Sequence, residues 1–216
     1  MASQLLMVVL RIKESGTPGL DLPTFLSKVD GFLKGYPKAS RVIHKFKVCG
    51  EPKVVAILEV NNILGLERNM GGLSRLGIFD VSCIPLSHYE TFAAALNVDP
   101  TLTKVSQQPL KKKFIFWLSF NVEYQGITTA ELLELWRKEA TAALSARAAG
   151  TQLDAYKVIA ERKVHVFIGT DVPEDVDKLS FNLPLMQENG ANTHIECRAV
   201  QHLADYTTRI MTEKLQ

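Results

Sequence analysis

The chain has 216 residues, enough for one large domain or two of about 100 residues each. An apolar fraction of 46%, 22% charged residues and only 13 Gly and 9 Pro exclude disordered, collagen-like and low-complexity classes. At this mass, folding hides roughly 70% of the unfolded surface, so a core forms without disulfides or metals. The 25 basic and 23 acidic residues nearly cancel to a net +2, so no nucleic-acid or membrane-surface partner is expected.

The first predicted element is a strand over Leu5–Ile12. Its apolar run, Leu5 to Leu10, has no basic leader and no small-residue cleavage site, and it is far below the ~20 residues that cross a bilayer. A cytoplasmic protein is the expectation. A Gly- and Pro-containing turn follows, then a helix over Leu22–Lys34 with apolar residues three and four apart. The runs Val42–Val48 and Val54–Val60 read as a hairpin around Gly50 and Pro52. Next come a helix near Ile63–Leu73, a strand at Gly77–Ile84 and a helix at Ser87–Leu96. Cys49, Cys83 and Cys197 are widely spaced within apolar segments and form no CxxC pair, so buried reduced thiols are expected, with no metal site.

The second half repeats the order. Lys113–Val122 is a strand, and the helix behind it opens with Thr128 and, three residues on, Glu131, a capping-box spacing. Gly150 suits the helix C-terminus. Leu153–Ile159 and Val164–Gly169 form a second hairpin, followed by a helix opening at Pro173, a strand near Thr193–Val200 and a helix over Gln201–Leu215. Each half is β-α-β-β-α-β with an added helix, the ferredoxin-like order. In Phe114–Phe120 both sides of the strand are apolar, so the sheet needs helices on one face and a second cover on the other. The expected fold is α+β: tandem ferredoxin-like repeats at 1–98 and 113–216, joined by a polar linker at 99–112 and closing into a pseudo-two-fold α+β barrel.

At the hairpins the residues become more specific. His44-Lys45-Phe46-Lys47-Val48-Cys49-Gly50 is similar to the H-x-W-R-x-x-G stretch of muconolactone isomerases, with Phe46 for the Trp and Lys47 for the Arg. In the second half Tyr156-Lys157 takes the W-R place and Leu183-Pro184-Leu185 matches the L-P-L segment, while Glu139 falls where that family has a helix Glu. The chain thus resembles two muconolactone isomerase subunits fused. The resemblance implies a cofactor-independent isomerase or cyclase that moves a proton along a small unsaturated lactone, enol or polyketide-like carbonyl compound. It departs from the family where Asp154 stands near the hairpin His place and where helices replace the C-terminal His-Pro-Ser segment.

Such chemistry needs a base near neutral pKa and a cation where enolate charge develops. Glu139 and Lys157 are the pair in the second half, His44 and Lys47 the pair in the first. Three residues apart on a strand, His44 and Lys47 point to opposite faces unless a bulge intervenes. Trp117, Tyr156, His165, Trp136 and Phe46 are candidates to line an apolar pocket, with Tyr89 or Tyr206 at its mouth. Asp80, between Phe79 and Val81, reads as a buried carboxylate, and His194 shares a strand face with Glu196. No dinucleotide or Walker loop, HExxH or GxSxG motif occurs. No cofactor is expected, and the partner is a small hydrophobic or carbonyl-containing ligand, with self-association left open. The second reading is a non-catalytic protein that holds a hydrophobic small molecule in the same barrel.

Overall fold

A computed structural model describes residues 3–13, 22–34, 39–75, 77 and 79–213. The turn expected after Ile12 and the last three residues lie outside them. Among the described residues the protein is α+β, with eight antiparallel strands and helices packed on them. It divides into two compact units, Met1–Leu86 with Val200–Gln216, and Ser87–Ala199.

The first unit contains β1 (Gln4–Ile12), α1 (Leu22–Lys34), β2 (Ser40–Val48), β3 (Lys53–Val60), α2 (Ile63–Arg75) and most of β4 (Phe79–His88). Strand order is β4-β1-β3-β2. At the far side, Phe46–Val48 pair with Val200–His202, the end of β8 (Thr193–His202), and α8 (Leu203–Thr212) follows. Side chains alternate along a strand, so Leu6, Val8 and Leu10 form one face. They pack with Leu26, Val29 and Leu33 of α1 and Leu66 and Leu73 of α2.

The second unit contains α3 (Tyr89–Ala95), α4 (Pro100–Thr103), β5 (Phe114–Val122), α5 (Thr129–Ala148), β6 (Gln152–Val158), β7 (Lys163–Thr170), α6 (Glu174–Phe181), α7 (Pro184–Asn189) and most of β8. Strand order is β8-β5-β7-β6. The segment 99–112, read as a linker, lies inside this unit and carries α4. The capping box at α5 forms as its spacing implies. The Thr128 Oγ1 accepts from Glu131 N–H at 3.2 Å while a Glu131 oxygen accepts from Thr128 N–H at 2.7 Å. Helices α3 and α8 each start two residues later than expected, because β4 and β8 both run on to a histidine, His88 and His202.

Two expectations are corrected. All three cysteines are exposed: Cys83 and Cys197 sit at the fifth position of β4 and β8, strands with the same burial sequence and an uncovered middle, and Cys49 lies in a turn. Asp80 is exposed as well, paired with Lys13 at 3.1 Å.

The two hairpins turn alike. Glu51 N–H donates to Val48 O and Glu161 N–H to Val158 O, both at 3.4 Å. Gly50 and Ala160 hold the same place in these turns, with φ of 72° and 62°. Glycine adopts that region without cost, whereas a Cβ costs roughly 1–2 kcal/mol there. Ala160→Gly is therefore expected to stabilise the protein by about 1 kcal/mol and Gly50→Ala to destabilise it similarly, read as opposite shifts of the urea midpoint at constant slope.

Candidate functional site

Helix α5 buries Leu132, Leu135, Trp136, Glu139, Ala140, Leu144 and Arg147, a stripe at spacings of three and four that includes two ionisable residues. Glu139 faces the sheet of the second unit. Leu118 of β5, Leu153 and Ala155 of β6, and Val164 and Val166 of β7 present their apolar face to it. Ala143 and Ala146 stand where larger side chains would fill the gap, and Tyr89, Leu183 and Leu185 complete the wall. The result is a cavity of about 50 Å³ with Glu139 on its lining.

The Glu139 carboxylate accepts one hydrogen bond, from Leu185 N–H to Oε2 at 3.1 Å. Burial raises its pKa to about 7, and that single N–H opposes the shift only in part. Tyr89, fully buried nearby, has its phenol pushed well above its usual value by desolvation and then by the Glu139 charge. Trp136 lies edge-on to Phe92, ring centroids 5.6 Å apart.

Of the expected catalytic set only Glu139 reaches the cavity. Lys157 turns to its own hairpin, where Nζ donates to Val158 O at 2.7 Å and to Glu161 O and sits 5.5 Å from the Phe92 ring centre. Lys47 does the same in the first unit, donating to Val48 O at 2.5 Å and to Glu51 O, with Nζ 5.3 Å from the Tyr206 ring centre. Burial lowers the pKa of both lysines. These lysines clamp turns. A register shift does occur in β2, but between Val42 and His44, before the His44–Lys47 interval. His44 stacks on Phe46 at 5.3 Å, and Phe46 meets His202 at 5.2 Å, all within the first unit.

Of the expected pocket residues Trp136 lines the cavity, as does Tyr89, expected at its mouth. Trp117, Tyr156 and His165 lie on the opposite face of the same sheet, as alternation along β5, β6 and β7 requires. There the Trp117 Nε1–H donates to His165 Nδ1 at 3.2 Å, and Trp117 stacks on Phe167 at 6.2 Å. His165 is buried and its pKa falls to about 4, chiefly from desolvation. His194 and Glu196 are exposed, and Glu196 pairs with Arg198 at 2.8 Å.

Sequence reasoning overlooked Arg147. It is fully buried, with its Nε donating to Leu153 O at 3.1 Å, Nη1 bound to Glu90 and Nη2 3.9 Å from Asp154, whose other oxygen accepts from the Tyr156 hydroxyl. The signal was present: Arg147 lies three residues beyond Leu144 and seven beyond Ala140, on the apolar stripe.

No protein-family model matches the sequence, and no curated protein matches it. Solved structures do. A chlorite dismutase from Candidatus Nitrospira defluvii, in complex with imidazole, superimposes with a TM-score of 0.61 at 11% identity, covering 96% of this chain and 94% of that one. A proposed monooxygenase from Lactobacillus acidophilus gives 0.56 at 11% identity, with 94% and 95% covered. The chain therefore has the chlorite dismutase-like fold. The muconolactone isomerase resemblance is overturned by these full-length matches, and the cofactor-independent lactone isomerase reading goes with it.

The two buried titrations oppose one another. Glu139, raised from 4.5 to about 7, holds a proton that the unfolded chain has lost, so its contribution to stability falls as pH rises through that window. His165, lowered from 6.5 to about 4, lacks a proton that the unfolded chain holds, so its contribution rises with pH across that window. Each amounts to about 3 kcal/mol over its full range. Wild type is thus expected to show a shallow profile between pH 4.5 and 6.5 in urea unfolding. Glu139→Gln should uncover a rising slope and be more stable than wild type at pH 8, and His165→Asn should uncover a falling one.

Proposed function

We propose that the second unit binds a small molecule through an apolar group that enters the cavity beside Glu139, with an oxygen of the ligand hydrogen-bonded to that carboxyl. The observation that carries this reading is a carboxyl buried among alanines, leucines and aromatic rings, poised to change charge near neutral pH. The bond from Leu185 N–H goes to Oε2, and no group among the described residues donates to Oε1. Protonated, Glu139 donates to a carbonyl or hydroxyl oxygen; ionised, it accepts from a hydroxyl. An apolar ligand excludes water from the charged form and so favours the protonated one. The matched burial sequences of β4 and β8 and the matched turns support a related proposal, that the two units are copies of one β-α-β-β-α-β plan.

The chlorite dismutase likeness raises heme as a cofactor to test against this chain's own residues. They do not fit it. No imidazole lines the cavity, and about 50 Å³ is far below the several hundred that a large flat ligand needs. The one buried histidine of the second unit, His165, is on the other face of the sheet. An indole N–H only donates, so the Trp117 bond makes Nδ1 the acceptor and leaves the proton on Nε2. A metal-bound imidazole needs the reverse, one bare nitrogen for the metal and an N–H given to an acceptor.

Titration with 1-butanol, followed by the NMR shift of the Leu185 amide, tests the reading. Saturable binding is expected, with affinity falling up to about tenfold per pH unit above pH 7. Glu139→Gln should bind without that pH dependence, and Ala143→Phe, which fills the cavity, should not bind. Binding unaffected by Ala143→Phe would overturn the site.

A further inference from the structure

A second hollow lies in the same unit. It is a cleft of about 290 Å³ with mixed walls, bordered by Lys112, Thr151, Gln152, Thr170, Asp171 and Asp175 together with apolar Ile168, Val176 and Leu179. Ile168 and Leu179 belong to the walls of both this cleft and the apolar cavity, so the two spaces adjoin at these side chains. On α6, Asp175 and Leu179 are four residues apart and share a helical face, which sets the carboxylate one turn from the shared leucine. The cavity has room for only a few carbon atoms, whereas the cleft is nearly six times larger.

The charges of the cleft are already matched. Lys112 Nζ bonds to Asp171 at 2.5 Å, Lys113 N–H donates to Asp171 at 3.3 Å, and Asp175 pairs with Lys178 at 2.9 Å. The Lys112 bond holds the Asp171 carboxyl below its ordinary range, so it is ionised. An anionic group would meet two carboxylates with no unengaged cation, and a cationic group would meet carboxylates that are already neutralised. Gln152 uses its side-chain oxygen to accept from Lys111 and Lys112 N–H at 2.8 and 3.2 Å, which leaves its amide N–H groups as donors. Gly169 lets Gln152 and Lys112 pack close over the sheet, since a Cβ there would come within 3.2 Å of both Gln152 Oε1 and Lys112 Cβ. The Thr170 hydroxyl donates to Val172 O at 2.8 Å, whereas carboxylates beside the Thr151 hydroxyl and the Gln152 amide suit hydroxyl groups, which donate to the first and accept from the others.

We infer that the ligand of this unit is an amphiphile with a short hydrocarbon tip joined through an oxygen to an uncharged, hydroxyl-rich body, the tip in the cavity with the joining oxygen at Glu139 and the body in the cleft, with Ile168 and Leu179 parting to join them. This inference rests on the small-molecule reading of the cavity and names the ligand's other half. The test compares butyl β-glucoside, 1-butanol, butyrate and butylamine by the Leu185 amide shift and by heat of binding. The glucoside is expected to bind at least about tenfold more tightly than 1-butanol, with both ions weaker than the glucoside. Asp175→Asn combined with Thr151→Val should remove the advantage of the glucoside and leave 1-butanol unchanged. A glucoside no tighter than a butanol that does bind would overturn the inference and spare the cavity reading, as would either ion binding more tightly than the glucoside. Absence of binding by all four would overturn both.

Discussion

One helix carries two buried charges, and the difference in how they are met decides what the second unit can do. Arg147 faces Glu90 and Asp154 and donates to a backbone carbonyl, so it is held in the interior as part of the scaffold. Glu139, two turns earlier, meets one backbone N–H, and no nearby cation shifts its pKa. An ion in that position is costly, and the carboxyl answers by holding its proton to about pH 7. The alanines around it preserve this state, because they supply neither dipoles nor charge and leave a space instead of a packed contact.

The sheet of this unit separates two kinds of chemistry by the strand period alone. Leu118, Leu153, Ala155 and Val166 look toward α5 and the cavity. Trp117, Asp154, Tyr156, His165 and Phe167 look the other way into a buried layer of rings joined by hydrogen bonds. A residue and its chain neighbour thus belong to different environments. This is why a hairpin motif spread over consecutive positions does not assemble into one site, and why the lysines of that motif end as clamps on their turns.

The likeness to chlorite dismutases runs the length of the chain, yet it concerns backbone arrangement at 11% identity. Function resides in the side chains that a fold displays. Here those side chains are a carboxyl in an apolar cavity and an imidazole whose hydrogen bond to Trp117 puts its proton on the wrong nitrogen for a metal. The fold is shared, and the donors in these two places differ from what heme iron requires.

Local patterning made much of the architecture legible. The strand alternation in Phe114–Phe120, the capping box at Thr128 and Glu131 and the glycine at position 150 are decided within a few residues of chain, and they appear where the sequence places them. The charge of Glu139 was not legible in the same way, since Lys138 and Arg137 beside it suggest a solvated face and only the three-and-four spacing from Leu132, Leu135 and Trp136 argues for burial. The cavity, the shared wall at Ile168 and Leu179 and the exposure of Cys83 and Cys197 depend on which distant segments meet. The sequence by itself therefore determined the order of strands and helices and the two-faced character of the sheet, through short-range sterics and periodicity. Tertiary structure alone decided which buried charge found a partner, because a partner comes from another element and its presence cannot be read along one strand or helix.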